Sequence, residues 1–111
     1  VHESLYQALK PIDRAAIAGC AVSGQQHGLV ALDTNCEPLR PAKLWCDVEA
    51  SEQAEKLSSA FGWQMPPAFT AAKVQWLQEQ EPEEYRQMKH VLLPHDYINY
   101  FLTGNLFMEV R

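Results

Sequence analysis

Ser23, Gly24, Gln25, Gln26, His27 and Gly28 form a polar corner between two apolar runs, residues 15–22 and 29–32. Two amides and an imidazole in a row are more than a surface turn requires. Amides and neutral imidazole both donate and accept hydrogen bonds, and they do so without bringing a net charge into a partly dry site. A polyol offers a row of hydroxyls with the same double capacity. The corner is therefore chemically suited to a sugar-like ligand, and its glycines permit close backbone approach. The alternative is a tight polar turn with His27 hydrogen-bonded locally.

Trp45 and Asp47 form a second candidate pair. They stand two apart, so an extended chain points both to one side. An indole stacks on the apolar face of a sugar, and a carboxylate accepts its hydroxyl protons. The alternative makes Trp45 a core residue and Asp47 the cap of a helix beginning near Val48. His90 and His95 flank Val91-Leu92-Leu93-Pro94 and are expected on opposite faces of a strand, which disfavours a shared metal. No Ser-His-Asp set, phosphate loop or metal-ligand spacing can be assembled. Cys20, Cys36 and Cys46 are far apart and contain no Cys-x-x-Cys pair, so neither a zinc site nor a redox motif is expected.

The elements that must position these residues follow from periodicity. Residues 2–10 read as the last turns of a helix, with Leu5 and Leu9 on one face and Pro11 ending it. Residues 15–24 are nearly all apolar and of strand length, which suits a strand covered on both faces. Residues 28–33 read as a second short strand followed by a turn at 33–35. Ala50, Ala54, Leu57 and Phe61 recur at helical spacing up to Gly62. Thr70 is placed to cap a further helix, with Ala71, Val74 and Leu77 on its apolar side. Pro82 suits the first position of a short helix containing Tyr85 and Met88. Residues 91–94 read as a brief buried strand, and 95–104 as a helix with Asp96 near its start and Gly104 at its end. A strand hint at 106–110 has no following partner.

With 111 residues, 47% of them apolar and 21% charged, the chain has the size and composition of one globular domain. The net charge of −5 and scattered Lys and Arg argue against a nucleic-acid footprint. No apolar run approaches the roughly 20 residues of a membrane-spanning helix, and no charged-then-apolar leader opens the sequence. A reduced, cytoplasmic setting is expected.

Three runs then carry a resemblance. VSGQQHGLVALD, LRPAKLWCD and FTAAKVQWLQEQEPEEYRQMKHVLLPHDYINYFLTG occur in this order, and over residues 17–110 the chain resembles sugar kinases of the FGGY carbohydrate kinase family. The resemblance implies an α/β fold: a partial ribonuclease H-like (actin-like ATPase) domain, with short strands followed by several helices. Residues 1–111 are expected to be part of the N-terminal sugar-binding domain of a two-domain parent with a cleft between its domains.

The implied reaction is ATP-dependent phosphorylation of a pentulose, D-xylulose at its 5-hydroxyl being the nearest match. ATP and Mg2+ are expected to be held mainly by parts of the parent outside these residues. Substrate contact is carried over to Gln26 and His27, where the family has Gln-Met-His-Gly, and to Trp45 with Asp47 as its companion. Residues 69–76 resemble the family's first signature, read as mainly architectural. Gln26 stands in place of the usual methionine, Glu49 where an arginine is common, Ala68 where a larger residue or glycine is frequent, and Arg111 where a glycine usually begins the next segment. These departures leave the exact pentulose open.

No catalytic or metal-binding residue is assigned here, because the family's early phosphate hairpin and distant catalytic aspartate have no counterpart in these 111 residues. The piece alone is expected to be catalytically silent. The alternative is a stand-alone, non-catalytic sugar-binding module. The expected partner is a small-molecule sugar, with no nucleic acid and no membrane; the resemblance leaves room for a homodimer of the parent.

Overall fold

The chain between Leu29 and Lys43 folds back on itself, and this reversal organises everything around it. In the computed structural model, which describes residues 2–108, Leu29 and Lys43 exchange backbone hydrogen bonds of 2.8 and 3.0 Å. The turn between them is held by the Asp33 carboxylate, which accepts from the backbone N–H groups of Asn35 at 2.7 Å and Glu37 at 2.9 Å. An aspartate bonding its own backbone two residues on is a standard turn former.

The elements run in the order α1 (His2–Leu9), a 3-10 turn (Arg14–Ala16), β1 (Val30–Leu32), α2 (Ser51–Phe61), α3 (Thr70–Gln80), α4 (Pro82–Gln87), β2 (His90–Leu92) and α5 (Pro94–Thr103). β1 and β2 pair antiparallel, with Val30 opposite Leu92, Ala31 opposite Val91 and Leu32 opposite His90. All three β1 residues are buried. Helices pack on one face of this pair: Leu77 of α3 joins Leu29 and Ala31, flanked by Tyr85, Met88 and Val91. On the other face Tyr97 and Tyr100 of α5 lie against Val30, Leu32 and Leu92. An apolar strand covered on both sides is what Val-Ala-Leu predicts. Full burial of a leucine such as Leu77 contributes about 1.5–3 kcal/mol.

α2 and α3 meet through small residues. Ala50, Ala54 and Ala72 are almost fully buried with Met65 between them, so the two backbones approach closely. Glu79 of α3 accepts from Gln53 at 2.7 Å and from Lys56 at 3.0 Å, joining the helices on their outer side. Gly62 ends α2 with φ 71, and Gly104 ends α5 with φ 72, the left-handed cap that glycine favours. Pro82 opens α4 as anticipated.

Some sequence expectations change. Residues 15–24 form no strand: after the 3-10 turn they run as irregular, mostly exposed chain. A strand needs a neighbour to satisfy its backbone groups, and among the described residues β1 takes β2 and the segment at 38–39 as its neighbours, not residues 15–24. The stripe of α2 fades before its end, since Phe61 is 65% exposed. In α3 the buried face is Ala72, Lys73 and Leu77, while Ala71 is exposed. Thr70 does not cap that helix; its hydroxyl donates to the Gly28 carbonyl instead. His90 and His95 lie on different elements, because β2 ends at Leu92 and Pro94 begins α5. Of the strand hint at 106–110, residues 106–108 are irregular and 109–110 lie outside the described residues.

Candidate functional site

The polar corner of residues 23–28 lies against the start of α5. A β-carbon built on Gly28 would come within 2.6 Å of Pro94 Cδ, and one on Gly24 within 2.8 Å of His95 Cβ. Both contacts are closer than any side chain tolerates, which accounts for glycine at these two places. His95 Nδ1 lies 3.2 Å from the Gln25 carbonyl; an oxygen there can only accept, so Nδ1 is the donor in this contact.

His27 leaves this loop in the left-handed backbone region, with φ 63, a conformation that non-glycine residues rarely adopt. Such strain persists only where the surroundings impose it. Here they do so at three points. The imidazole stacks on the Phe69 ring with centroids 4.3 Å apart and planes 10° from parallel. The His27 carbonyl accepts from Lys73 Nζ at 2.7 Å, and the neighbouring Gly28 carbonyl accepts from Thr70 Oγ1 at 3.0 Å.

Two open hollows meet at this residue. One of about 300 Å3 is lined by Gln25, Gln26, His27 and Trp45. The other, of about 620 Å3, shares Gln26 and His27 but is otherwise mainly apolar, walled by Ala71, Val74, Val91 and Leu93 among others. Gln26 is exposed and His27 half-buried. Trp45 is 54% exposed and flanks the smaller hollow rather than joining the core.

Asp47 stands apart from these three. Residues 44–47 form a turn, closed by the Asp47 N–H donating to the Leu44 carbonyl, so the extended-chain alternation does not apply. The Asp47 carboxylate accepts from Lys43 Nζ at 2.8 Å and from the Glu49 N–H at 3.0 Å. It thus holds the turn that carries Trp45 and does not cap α2, whose N-cap is Ala50. Burial alone would push the Asp47 carboxyl up. The hydrogen bonds from Lys43 and Glu49 and the charges of Lys43 and Lys73 outweigh it and leave the carboxyl below its ordinary 3.8.

The cations beneath the site are fully engaged. Lys43 Nζ also meets Glu49 at 2.6 Å and lies 3.8 Å from the centroid of the Trp76 ring. Lys73, wholly buried, donates to the carbonyls of His27, Leu44 and Ala68. Burial pushes its ammonium below the ordinary 10.5, partly offset by the attraction of Asp47. Neither amine is available to a phosphate, and among the described residues no three His, Cys, Asp or Glu side chains gather where a metal could sit. Lys43 and Lys73 therefore offer no free ammonium to an ATP–Mg2+ group in this corner.

Gln26, His27 and Trp45 of the hollow are legible in the sequence, whereas Phe69 and Lys73 lie in the run 69–76 that reads as mainly architectural. One signal was legible: Lys73 has Phe69, Thr70, Trp76 and Leu77 at its helical neighbours, and a lysine without an acidic neighbour on an apolar face needs another partner.

The loop that leaves the 3-10 turn and the turn at 44–47 thus build a hollow lined by Gln25, Gln26, His27 and Trp45. Comparison with known proteins identifies the family. The family described as "FGGY family of carbohydrate kinases, N-terminal domain" matches residues 1–111. A xylulose kinase of Streptomyces coelicolor is 46% identical over 114 residues, covering 92% of this chain and 24% of that protein. One of Haemophilus influenzae is 39% identical over 103 residues, covering 84% of this chain and 21% of that protein. Among solved structures, a xyloylose kinase from Brucella ovis superposes with a TM-score of 0.80 at 36% identity, covering 92% of this chain and 22% of that one. The chain belongs to the FGGY family of carbohydrate kinases. The two strands and five helices of the described residues are an α/β part of the actin-like ATPase fold. It spans about a fifth to a quarter of the length of the curated relatives it matches.

Proposed function

We propose that this segment is the sugar-facing part of the N-terminal domain of a kinase that transfers the γ-phosphoryl group of ATP to the 5-hydroxyl of D-xylulose, giving D-xylulose 5-phosphate and ADP. Gln26 and His27 hold sugar hydroxyls, Trp45 flanks the sugar face, and Asp47 acts as companion to Trp45 by fixing its turn through Lys43. The observation that carries this reading is the open hollow that brings Gln26, His27 and Trp45 together from separate stretches of chain. The similarity to xylulose kinases supplies the substrate.

Phosphoryl transfer needs phosphates held in place, a magnesium ion and a group that takes the acceptor's proton. Those duties fall to the rest of the parent, and the segment by itself is catalytically silent. The parent uses a neutral sugar as its small-molecule partner, because an anionic one would find no free cation among the described residues of this hollow. The test is His27→Ala in the full-length parent. Loss of one substrate hydrogen bond, about 1–1.5 kcal/mol, raises the KM for D-xylulose roughly five- to tenfold and leaves that for ATP unchanged. Unaltered xylulose kinetics would remove His27 from the site.

A further inference from the structure

We infer that Lys73, aided by Thr70, is a positioning residue for the sugar-facing corner: its buried ammonium sets the backbone of the three segments that present His27, Trp45 and Phe69. The inference rests on the reading that this corner holds the sugar.

The ammonium of Lys73 has three protons, and three carbonyls take them. The Nζ–oxygen distances are 2.7 Å to His27, 2.7 Å to Leu44 and 2.6 Å to Ala68. These oxygens come from positions 46, 29 and 5 residues away in sequence. Each marks a part of the hollow. His27 lines it directly, Leu44 precedes Trp45, and Ala68 precedes Phe69, whose ring backs the His27 imidazole. Thr70, one turn earlier on the same helix, adds a bond to Gly28. One turn of α3 thus determines where the recognition groups stand.

Stability alone does not call for an ammonium here. A buried cation carries a desolvation cost, and apolar side chains of similar volume often serve the fold as well. An apolar chain cannot gather three carbonyls at one point, and it cannot hold His27 in its left-handed backbone. Charge at this place therefore serves geometry.

The test measures KM for D-xylulose and for ATP in the full-length parent carrying Lys73→Met or Thr70→Val, with His27→Ala as reference. Losing these bonds shifts the corner, so the KM for xylulose rises roughly tenfold in Lys73→Met and roughly threefold in Thr70→Val, with the KM for ATP unchanged. A merely structural residue would lower the amount of folded enzyme, and so the apparent kcat, with neither KM altered. Lys73→Met decides where it folds; where it does not, Thr70→Val decides. An unaltered xylulose KM in the deciding variant, with a raised one in His27→Ala, overturns the inference and spares the site. An unaltered xylulose KM in His27→Ala overturns the site reading, and the inference with it.

Discussion

The imidazole of His27 and the ring of Phe69 lie face to face, 4.3 Å apart and within 10° of parallel. Trp63 tilts against the far partner, its ring 5.8 Å from that of Phe69. A ring stacked this way has lost most of its freedom to rotate, so the polar edge of His27 is presented in one direction before any ligand arrives. Preorganisation of this kind reduces the ordering cost of binding.

Replacing Phe69 by leucine keeps an apolar residue before α3 and removes the stack. The aromatic contribution beyond simple burial is about 0.5–1.5 kcal/mol. In the full-length parent, Phe69→Leu is expected to raise the KM for D-xylulose by roughly two- to tenfold, less than or equal to the effect of His27→Ala. Steady-state kinetics at saturating ATP checks it.

Gly28→Ala tests the close approach to α5. The added carbon meets Pro94 Cδ at 2.6 Å and Cγ at 2.7 Å, and a proline ring cannot rotate away. Overpacking of this type costs about 1–3 kcal/mol. The expected result is a lowered thermal unfolding midpoint of the parent together with weakened sugar binding, because the same shift displaces His27. A midpoint unchanged from the unsubstituted protein would show that the corner is looser than the contact implies.

Acid should loosen the Trp45 turn. The Asp47 carboxyl lies below its ordinary 3.8: burial opposes this, while the Lys43 and Glu49 hydrogen bonds and the lysine charges impose it. A carboxyl with a depressed folded-state pKa contributes stability that is present above the unfolded value and lost as pH falls through the folded one. The difference in unfolding free energy between the parent and Asp47→Asn is therefore largest above about pH 4 and shrinks below it. Chemical denaturation between pH 3 and pH 7 measures this, and a difference independent of pH would contradict the assignment.

The sequence made the helices and the corner legible for one reason: each is written in local chemistry. Pro82 opens α4, Gly62 and Gly104 close α2 and α5, and the apolar triplet at 30–32 lies where a second short strand was expected. The amide-and-imidazole run at 25–27 stood out by composition alone. Lys73 did not, because charged residues are almost never fully buried unless paired, and its carbonyl partners come from segments that only the fold brings together. The turn at 44–47 was hidden for the same reason. Its shape depends on Lys43, whose partners Asp47 and Glu49 compete with an extended path. Residues 15–24 carry the apolar pattern of a strand, but pattern cannot supply the neighbour a strand requires.

The most direct measurement is a structure of the full-length parent with D-xylulose bound. The account predicts the sugar in the hollow beside Trp45, with its hydroxyls about 2.6–3.2 Å from side-chain atoms of Gln26 and His27 and the Lys73 bonds to His27, Leu44 and Ala68 intact. A sugar held elsewhere, with Gln26 and His27 touching only solvent, would contradict it.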